Sequence, residues 1–163
     1  MKQNRWSIAV VALLVVGAIV LGGCGGGEAK RLTKAEFAAK ANALCSAYQR
    51  KGKALGTPNG TAESAASVLG KAETYYENMF VDLKKLQPPT GEQVDVDQLL
   101  TISEEQLALG DRVIAALKKN DWTSALRLVK KNNALDTEVN RIFHRLGVTA
   151  CDRSQAEFQA LGN

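Results

Sequence analysis

The sequence predicts an all-α protein, folded as an antiparallel four-helix bundle with up-down-up-down topology. Apolar residues recur at helical spacing over four long stretches, and prolines occur only at the joints, at Pro58 and Pro88-Pro89. No run of alternating β-branched residues indicates a strand. Helices joined by short connections lie antiparallel, which gives the bundle its topology. We also expect a short C-terminal tail or fifth helix that one disulfide attaches to the bundle.

The first two helices have clear start and stop signals. Thr33 can form a capping box with Glu36, and this helix should run to about Gly52. The second begins after Thr61 and is ended by Pro88. The predicted inward faces are Phe37, Ala41, Leu44, Cys45 and Tyr48 in the first helix, and Ala65, Leu69, Ala72, Tyr76, Met79, Phe80, Leu83 and Leu86 in the second.

The last two long helices meet at a polar joint. The third is predicted to begin after Thr90, capped together with Gln93, and Asn120 breaks its pattern. Asp121 caps the fourth, and Gly147 suits a left-handed C-terminal stop. The predicted inward faces are Val96, Leu99, Leu100, Leu107, Ile114 and Leu117, then Trp122, Leu126, Val129, Val139, Phe143 and Leu146; a short fifth helix would start after Ser154 and use Phe158 and Leu161.

The N-terminal segment has the plan of an export signal. Lys2 and Arg5 provide a basic start, and residues 8–21 form an apolar run of about fourteen residues, short of the ~20 that a membrane span needs. The next residues, Leu21-Gly22-Gly23-Cys24, resemble the lipobox of bacterial lipoproteins. The resemblance implies lipid transfer to the Cys24 sulfur, cleavage before Cys24 and anchoring on the extracytoplasmic face of the cell membrane. An ordinary signal peptide, or an uncleaved anchor that happens to contain a cysteine, is the alternative.

The chain therefore divides into a signal peptide (1–23), an acylated cysteine with a glycine-rich tether (24–32) and a helical domain (33–163). Removing the signal removes Lys2 and Arg5 and no acid, so the net charge falls from +4 to +2. The remaining basic residues cluster near helix ends, where cations favour the helix dipole. We therefore expect a membrane-anchored protein that binds no nucleic acid.

Cys45 and Cys151 remain as a pair once Cys24 is assigned to lipid. Two cysteines suit one disulfide in an oxidising compartment. A metal pair is the alternative, although no histidine or cysteine stands near either one at ligand spacing. Cys45 lies ~16 Å along the first helix, and the stretch from Gly147 to Cys151 covers ~14 Å when extended, so a tail that turns at Gly147 can reach Cys45.

The sequence predicts no catalytic residue, no metal site and no cofactor. His144 is the only histidine and should lie on a helix flank. A haem held by Met79 and His144 is conceivable, but Met79 is more often core filler. Tyr75 and Tyr76, beside Met79 and Phe80, favour core packing over an aromatic ligand cage.

Polar and small residues interrupt the inner faces of the third and fourth helices at one level. These residues are Ser103, Gln106 and Gly110, and Asn132, Asn133 and Asp136. Pairing the helices about Asn120 places Gln106 near residue 134, and reflection through the other joints adds Ala72, Gly70 and Asn42. One interpretation is a hydrogen-bonded layer that sets helix register, or side chains turned outward. The other is a small polar cavity whose ligand residues are Gln106, Asn133 and Asp136.

Three segments carry a second resemblance: Ala41-Asn42-Ala43-Leu44-Cys45, Leu86-Gln87-Pro88-Pro89 and Leu146-Gly147-Val148-Thr149-Ala150-Cys151. With them, the mature chain resembles small helical lipoproteins and secreted proteins of high-GC Gram-positive bacteria. The resemblance implies the bundle and the disulfide but no activity. The leading hypothesis is a non-enzymatic, lipid-anchored interaction or scaffold module that contacts a protein of the cell envelope. The alternative is a lipoprotein that binds a small ligand in the polar cavity.

The anchor can be tested with Cys24→Ser. Because the serine hydroxyl cannot replace the acylated sulfur, we expect loss of lipid labelling and accumulation of the unprocessed chain. Metabolic labelling with a fatty acid and immunoblotting of membrane and soluble fractions measure both effects. Persistence of labelled lipid on the variant would show that the lipobox interpretation is wrong.

Overall fold

The computed structural model describes residues 31–152 and shows the predicted antiparallel four-helix bundle. The helices are α1 (Lys34–Lys53), α2 (Ala62–Lys85), α3 (Gln93–Lys118) and α4 (Trp122–Arg145). We call the end where α1 begins and α4 finishes the lower end, and the opposite end the upper end. Within the described range, no helix combines the length and hydrophobicity required to cross a bilayer. The signal segment, Cys24 and the predicted fifth helix lie outside the described residues.

The predicted caps at Thr33 and Asp121 are present, and Thr61, the predicted start of the second helix, is also a cap. The Thr33 hydroxyl accepts from the Glu36 backbone N–H (3.2 Å) while the Glu36 carboxylate accepts from the Thr33 N–H (2.8 Å), which is a complete capping box. Thr61 and Asp121 accept from backbone N–H groups at the starts of α2 and α4 in the same way. These bonds satisfy amides that the first helical turn leaves without a partner.

The predicted cap at Thr90 is wrong. Residues Thr90–Glu92 form one tight 3₁₀ turn, in which the Glu92 N–H bonds to the Pro89 carbonyl at 3.0 Å. Glu92 therefore takes the position before α3, and the helix begins at Gln93 without a side-chain cap. The backbone hydrogen bond of the 3₁₀ turn gives the Glu92 N–H an acceptor, which a side chain would provide in a capping box.

The core is divided between the two ends of the bundle. The lower cluster joins α1 to the lower halves of the other helices and contains Phe37, Ala41, Cys45, Met79, Phe80, Leu83, Val96, Leu99, Val139, Ile142, Phe143, Leu146, Val148 and Cys151. The upper cluster contains Ala62, Ala65, Ala66, Val113, Ile114, Ala116, Leu117 and Ala125, all from α2, α3 and α4. α3 packs along both α2 and α4, whereas α1 packs along α2. The upper half of α1 therefore does not close over α4.

The tail after α4 returns along α1, as predicted. Gly147 adopts φ 74° and turns the chain, which a residue with a side chain would do only under strain. The Asn42 amide then holds the tail: its Nδ2 donates to the Gly147 carbonyl (3.2 Å), and its Oδ1 accepts from the Ala150 N–H (2.7 Å). Cys45 and Cys151 form the predicted disulfide. Asn42 thus fastens the tail instead of joining a polar layer in the middle of the bundle.

Two residues predicted to face inward are exposed. Trp122 and Leu126 have relative exposures of 37% and 54%, although they continue the apolar stripe of α4. The reason is the separation of α1 from the upper half of α4, because no helix covers this part of the stripe. The periodicity identified the correct helix face, but the neighbour that should bury it is missing.

The disulfide should contribute strongly to stability. Cys45 and Cys151 are separated by 106 residues, and closing a loop of that length removes about 4–5 kcal/mol of unfolded-state entropy in the chain-entropy model. We expect Cys45→Ser with Cys151→Ser to lose stability of this order in urea unfolding. Reduced native protein should lose a similar amount. An unchanged urea midpoint in both samples would contradict the expectation.

Candidate ligand-binding cavity

A cavity of about 1140 Å³ lies between the helices and extends from the lower cluster, where Phe143 and Cys151 line it, to the upper half of the bundle. All four helices and the α1–α2 connection contribute to its wall. The exposed side chains of Trp122 and Leu126 belong to this wall, so the cavity opens to solvent beside the upper half of α4. Its apolar surface includes Leu69, Met79, Val113, Leu117, Val129 and Phe143. The cavity therefore occupies the place that a closed α1–α4 contact would have filled.

Polar side chains in the middle of the bundle form a chain of hydrogen bonds across three helices, and two of them, Tyr76 and Gln106, also line the cavity. The Tyr76 hydroxyl donates to Gln106 Oε1 at 2.5 Å, and Gln106 Nε2 donates to Asp136 Oδ1 at 2.6 Å. Gln106 and Asp136 are only 4% and 6% exposed. Such a chain in a low-dielectric interior fixes the register of its helices, because breaking it leaves a buried group without a partner. The predicted pairing of the third and fourth helices at this level is confirmed.

The residues predicted as ligand contacts separate into two roles. Gln106 and Asn133 line the cavity, and Asn132 lies beside them. Asp136 accepts the hydrogen bond from Gln106 and is not part of the cavity wall. Ser103 returns its hydroxyl to the Leu99 carbonyl of its own helix at 2.7 Å. The polar residues at this level therefore set the register of the helices, and Gln106 and Asn133 among them also line the cavity. The two interpretations of the sequence are not exclusive.

The amide oxygens of Asn132 and Asn133 are buried, and neither has a hydrogen-bond partner. A buried acceptor without a partner costs ~1–3 kcal/mol, and native proteins keep few of them. Both oxygens have almost no accessible surface, so they do not face the cavity, although other atoms of both residues line it.

Glu73 is the carboxyl group on the cavity wall that sequence reasoning missed, as it missed the two lysines there, Lys53 and Lys130. Its half-buried side chain lies on the cavity wall. Burial raises its pKa to about 7, with further contributions from the carboxylates of Asp111 and Glu77, while a hydrogen bond from the Asp111 backbone N–H opposes the rise. Gly110 provides the space, because a Cβ at that position would collide with Glu73 Oε1. The sequence did contain a signal for this position, because Glu73 lies on the apolar stripe of α2 between Leu69 and Tyr76.

The acidic groups around Glu73 have no counter-ion in the described part of the chain. No lysine or arginine there lies within 4.0 Å of the carboxylates of Glu73, Glu77 or Asp111. The exposed Lys53 and Lys130 belong to the wall of the same cavity but form no ion pair with these acids. The cavity wall thus combines an apolar surface with one carboxyl group, Glu73, and two exposed lysines.

The other predicted candidates do not gather at one site. Tyr75, Tyr76 and Met79 line the cavity, and Tyr76 also packs edge-on against Phe80 with ring centroids 4.5 Å apart. These aromatic residues therefore belong to both the core and the cavity wall. His144 lies on an exposed flank, with Nε2 3.2 Å from Asp152 Oδ2, and does not line the cavity. Within residues 31–152, no group of three His, Cys, Asp or Glu side chains is arranged to hold a metal ion.

No protein-family model, curated protein or solved structure matches this chain.

The raised pKa of Glu73 predicts an unusual pH dependence of stability. Between pH 4.5 and about 7 the folded protein keeps the Glu73 proton, whereas the unfolded chain has released it. Because the unfolded state then binds fewer protons, the free energy of unfolding should fall as pH rises through this window, by about 1–2 kcal/mol after allowance for partial solvent screening. Urea unfolding at several pH values measures the effect.

Glu73→Gln should remove most of this pH dependence, because glutamine does not titrate. Glu77→Gln is the matched control on the same helix and should keep most of it, since the Glu77 carboxylate raises the pKa of Glu73 less than burial and Asp111 do. The pKa values of Asp82, Asp95 and Asp121 are lowered by their hydrogen bonds, so their contributions disappear only at more acidic pH. Equal slopes between pH 4.5 and 7 in wild type and Glu73→Gln would contradict the assignment.

Proposed function

We propose that this protein is a lipid-anchored, extracytoplasmic binding protein that holds a small, partly apolar molecule in the cavity of its helical bundle. The observation that carries the proposal is the open cavity of about 1140 Å³, whose mainly apolar wall also presents polar side chains such as Gln106 and Asn133. The proposal modifies the second of the two functions that the sequence suggested, a small ligand in a polar mid-bundle cavity, because most of the wall is apolar.

The size and lining of the cavity support a binding role. Protein interiors are close-packed, and ligand pockets typically measure ~300–1,000 Å³ with mainly apolar walls and a few polar groups. The small side chains of Ala72 and Gly110 on inner helix faces, and Gly52 at the end of α1, help to keep this volume open. Larger apolar residues at these positions would stabilise an empty bundle, since filled space gains dispersion energy.

The location rests on the N-terminal segment together with the disulfide. A Cys45–Cys151 disulfide is typical of proteins in oxidising compartments, such as the outer side of a bacterial membrane. Acylation of Cys24 would place the lower end of the bundle nearest the membrane, because α1 begins ten residues later at Lys34. α1 has 20 residues and rises ~30 Å, so the upper half of the cavity would face away from the lipid.

A fluorescence titration tests the binding function. The full-length acylated protein is placed in phosphatidylcholine nanodiscs and titrated with the neutral apolar dye 1-N-phenylnaphthylamine, with empty nanodiscs as background. We expect saturable fluorescence above background for wild type. Ala72→Phe should abolish it, because the phenyl ring occupies the cavity.

The matched control is Ala108→Phe, which adds the same ring on the exposed side of α3 and should bind the dye like wild type. Helical circular dichroism verifies that both variants are folded. Dye binding equal to the empty-nanodisc background in wild type would overturn the binding function and leave the interaction module as the better proposal.

A further inference from the structure

We infer that the molecule bound in this cavity is an anionic amphiphile, whose chain-like apolar body lies between the helices and whose head group lies at the opening between Lys53 and Lys130. The inference rests on the proposed binding function and adds the chemical class of the ligand. It follows from where the cavity opens, from the charges that border the opening and from the shape of the apolar wall.

The cavity opens to solvent between α1 and α4. The wall residues that are exposed come from α1, from the α1–α2 connection and from α4. They are Gln49, Lys53, Gly56, Thr57, Gly60, Trp122, Leu126 and Lys130. The wall residues contributed by α2 and α3 are all buried or half-buried. Because burying a charged group costs free energy, a ligand keeps its head group at this opening and places its apolar part inside.

Lys53 and Lys130 lie at about the same height on the two sides of the opening. At the lower end α1 and α4 meet where Ala38 faces Gly147, whose Cα would carry a Cβ only 3.5 Å from the Ala38 Cβ. Lys53 follows Ala38 by 15 residues, and Lys130 precedes Gly147 by 17 residues. At ~1.5 Å per residue these separations correspond to rises of ~22 Å and ~25 Å. One head group at the opening is therefore within reach of both lysines.

The two stretches of chain that border the opening contain basic residues and no acidic ones. Residues 37–60 comprise most of α1 and the α1–α2 connection, and residues 122–135 form the upper half of α4. Their basic residues are Lys40, Arg50, Lys51 and Lys53, followed by Arg127, Lys130 and Lys131. An excess of one sign of charge around a cleft attracts ligands of the opposite sign. The opening therefore favours an anion.

Of these basic residues, Lys53 and Lys130 are the two that line the cavity. Lys131 points elsewhere, since its ammonium group forms an ion pair with Glu105 of α3 at 3.1 Å. In the part of the chain that the structure describes, no carboxylate lies within 4.0 Å of the Lys130 ammonium group. An anionic head group would give Lys130 a charge-assisted hydrogen bond, which is stronger than a neutral one.

The carboxyl group of the wall lies inside the cavity and away from the opening. Glu73 is half-buried on α2, and burial raises its pKa to about 7. Glu77 on α2 and Asp111 on α3 add to this rise, while Asp136 on α4 is held by Gln106. A large fraction of Glu73 is therefore protonated at neutral pH, so the inner wall carries little charge and suits an apolar body.

The apolar wall is elongated along the bundle. α4 lines the cavity from Trp122 to Phe143, a rise of ~30 Å along the helix. Leu69 and Met79 continue the apolar surface on α2, and the exposed Leu126 lies one turn after Trp122 beside the opening. A hydrocarbon chain along this wall would remove apolar surface from water. A chain with an anionic head group therefore matches both the wall and the opening.

Competition against the bound dye tests the ligand class. Decyl sulfate, decanol and decylammonium share one chain length and differ in charge. Each competes with 1-N-phenylnaphthylamine on the full-length acylated protein in phosphatidylcholine nanodiscs at about pH 7.5. We expect decyl sulfate to displace half of the dye at about one fifth of the decanol concentration, a preference of ~1 kcal/mol. Raising the salt concentration to about 0.5 M should reduce this preference, because salt screens exposed charges.

The double variant Lys53→Gln with Lys130→Gln should lose the preference for decyl sulfate. The matched control is Lys40→Gln with Lys119→Gln, which lowers the net charge equally at exposed positions outside the cavity wall and should keep the preference. The dye affinity of each variant is measured first, and displacement is expressed relative to it. Circular dichroism verifies that both variants retain the helical fold.

Equal displacement by decyl sulfate and decanol in wild type would overturn the anionic class while the binding function stands. Stronger displacement by decylammonium, or an unchanged preference in the Lys53–Lys130 variant, would overturn it as well. Absence of dye binding in wild type would overturn the proposed function and this inference together.

The source of the anionic amphiphile is identified by repeating the dye titration in nanodiscs that contain phosphatidylglycerol. Weaker dye binding there than in phosphatidylcholine would assign the ligand to an anionic membrane lipid. Unchanged dye binding, with displacement by decyl sulfate, would assign it to a free amphiphile.

Discussion

The way α1 joins the bundle is the constraint on which the rest of the structure depends. Phe37, Ala41 and Cys45, the twelfth of its 20 residues, bury α1 in the lower cluster. The returning tail is fastened to α1 by Asn42, by the disulfide and by Gln49, whose Nε2 donates to the Ala150 carbonyl. The upper cluster is built by α2, α3 and α4 without α1. Because no buried residue of α1 joins that cluster, a gap remains between α1 and the other helices there, and the cavity includes this gap.

The staple and the cavity are therefore parts of one arrangement. A bundle of four helices usually gains stability by burying every inner face. Here the tail contributes Val148 and Cys151 to the lower cluster, and Trp122 and Leu126 remain exposed at the top. The disulfide lowers the conformational entropy of the unfolded chain, and this gain in stability offsets the loss from the apolar area that the upper half leaves exposed. The lower end thus carries the larger apolar cluster and the disulfide, while the cavity opens to solvent at the upper end.

The polar middle of the bundle contains two sets of side chains: one forms a chain of hydrogen bonds, and the other lines the cavity. Tyr76, Gln106 and Asp136 satisfy one another, and their chain ties three helices in register. Glu73 and Asn133 lie on the cavity wall, and Glu73 has a raised pKa there. The first set holds three helices in register, while the second places a titratable carboxyl group and an amide on the cavity surface.

Much of the fold was predictable because its signals are local. The caps at Thr33, Thr61 and Asp121, the stop at Gly147 and the apolar spacing of the helices involve residues within a turn or two of each other, so the sequence by itself determined four antiparallel helices and where they end. Even the level of the Gln106–Asp136 contact followed from counting residues across the α3–α4 turn. Only the tertiary structure decided that Trp122 and Leu126 stay exposed, that Glu73 fits against Gly110, and that Asn42 binds the tail. These outcomes depend on where α1 separates from α4. The separation is set by the lower cluster, the upper cluster and the disulfide together, and each of these joins residues that are far apart in the sequence.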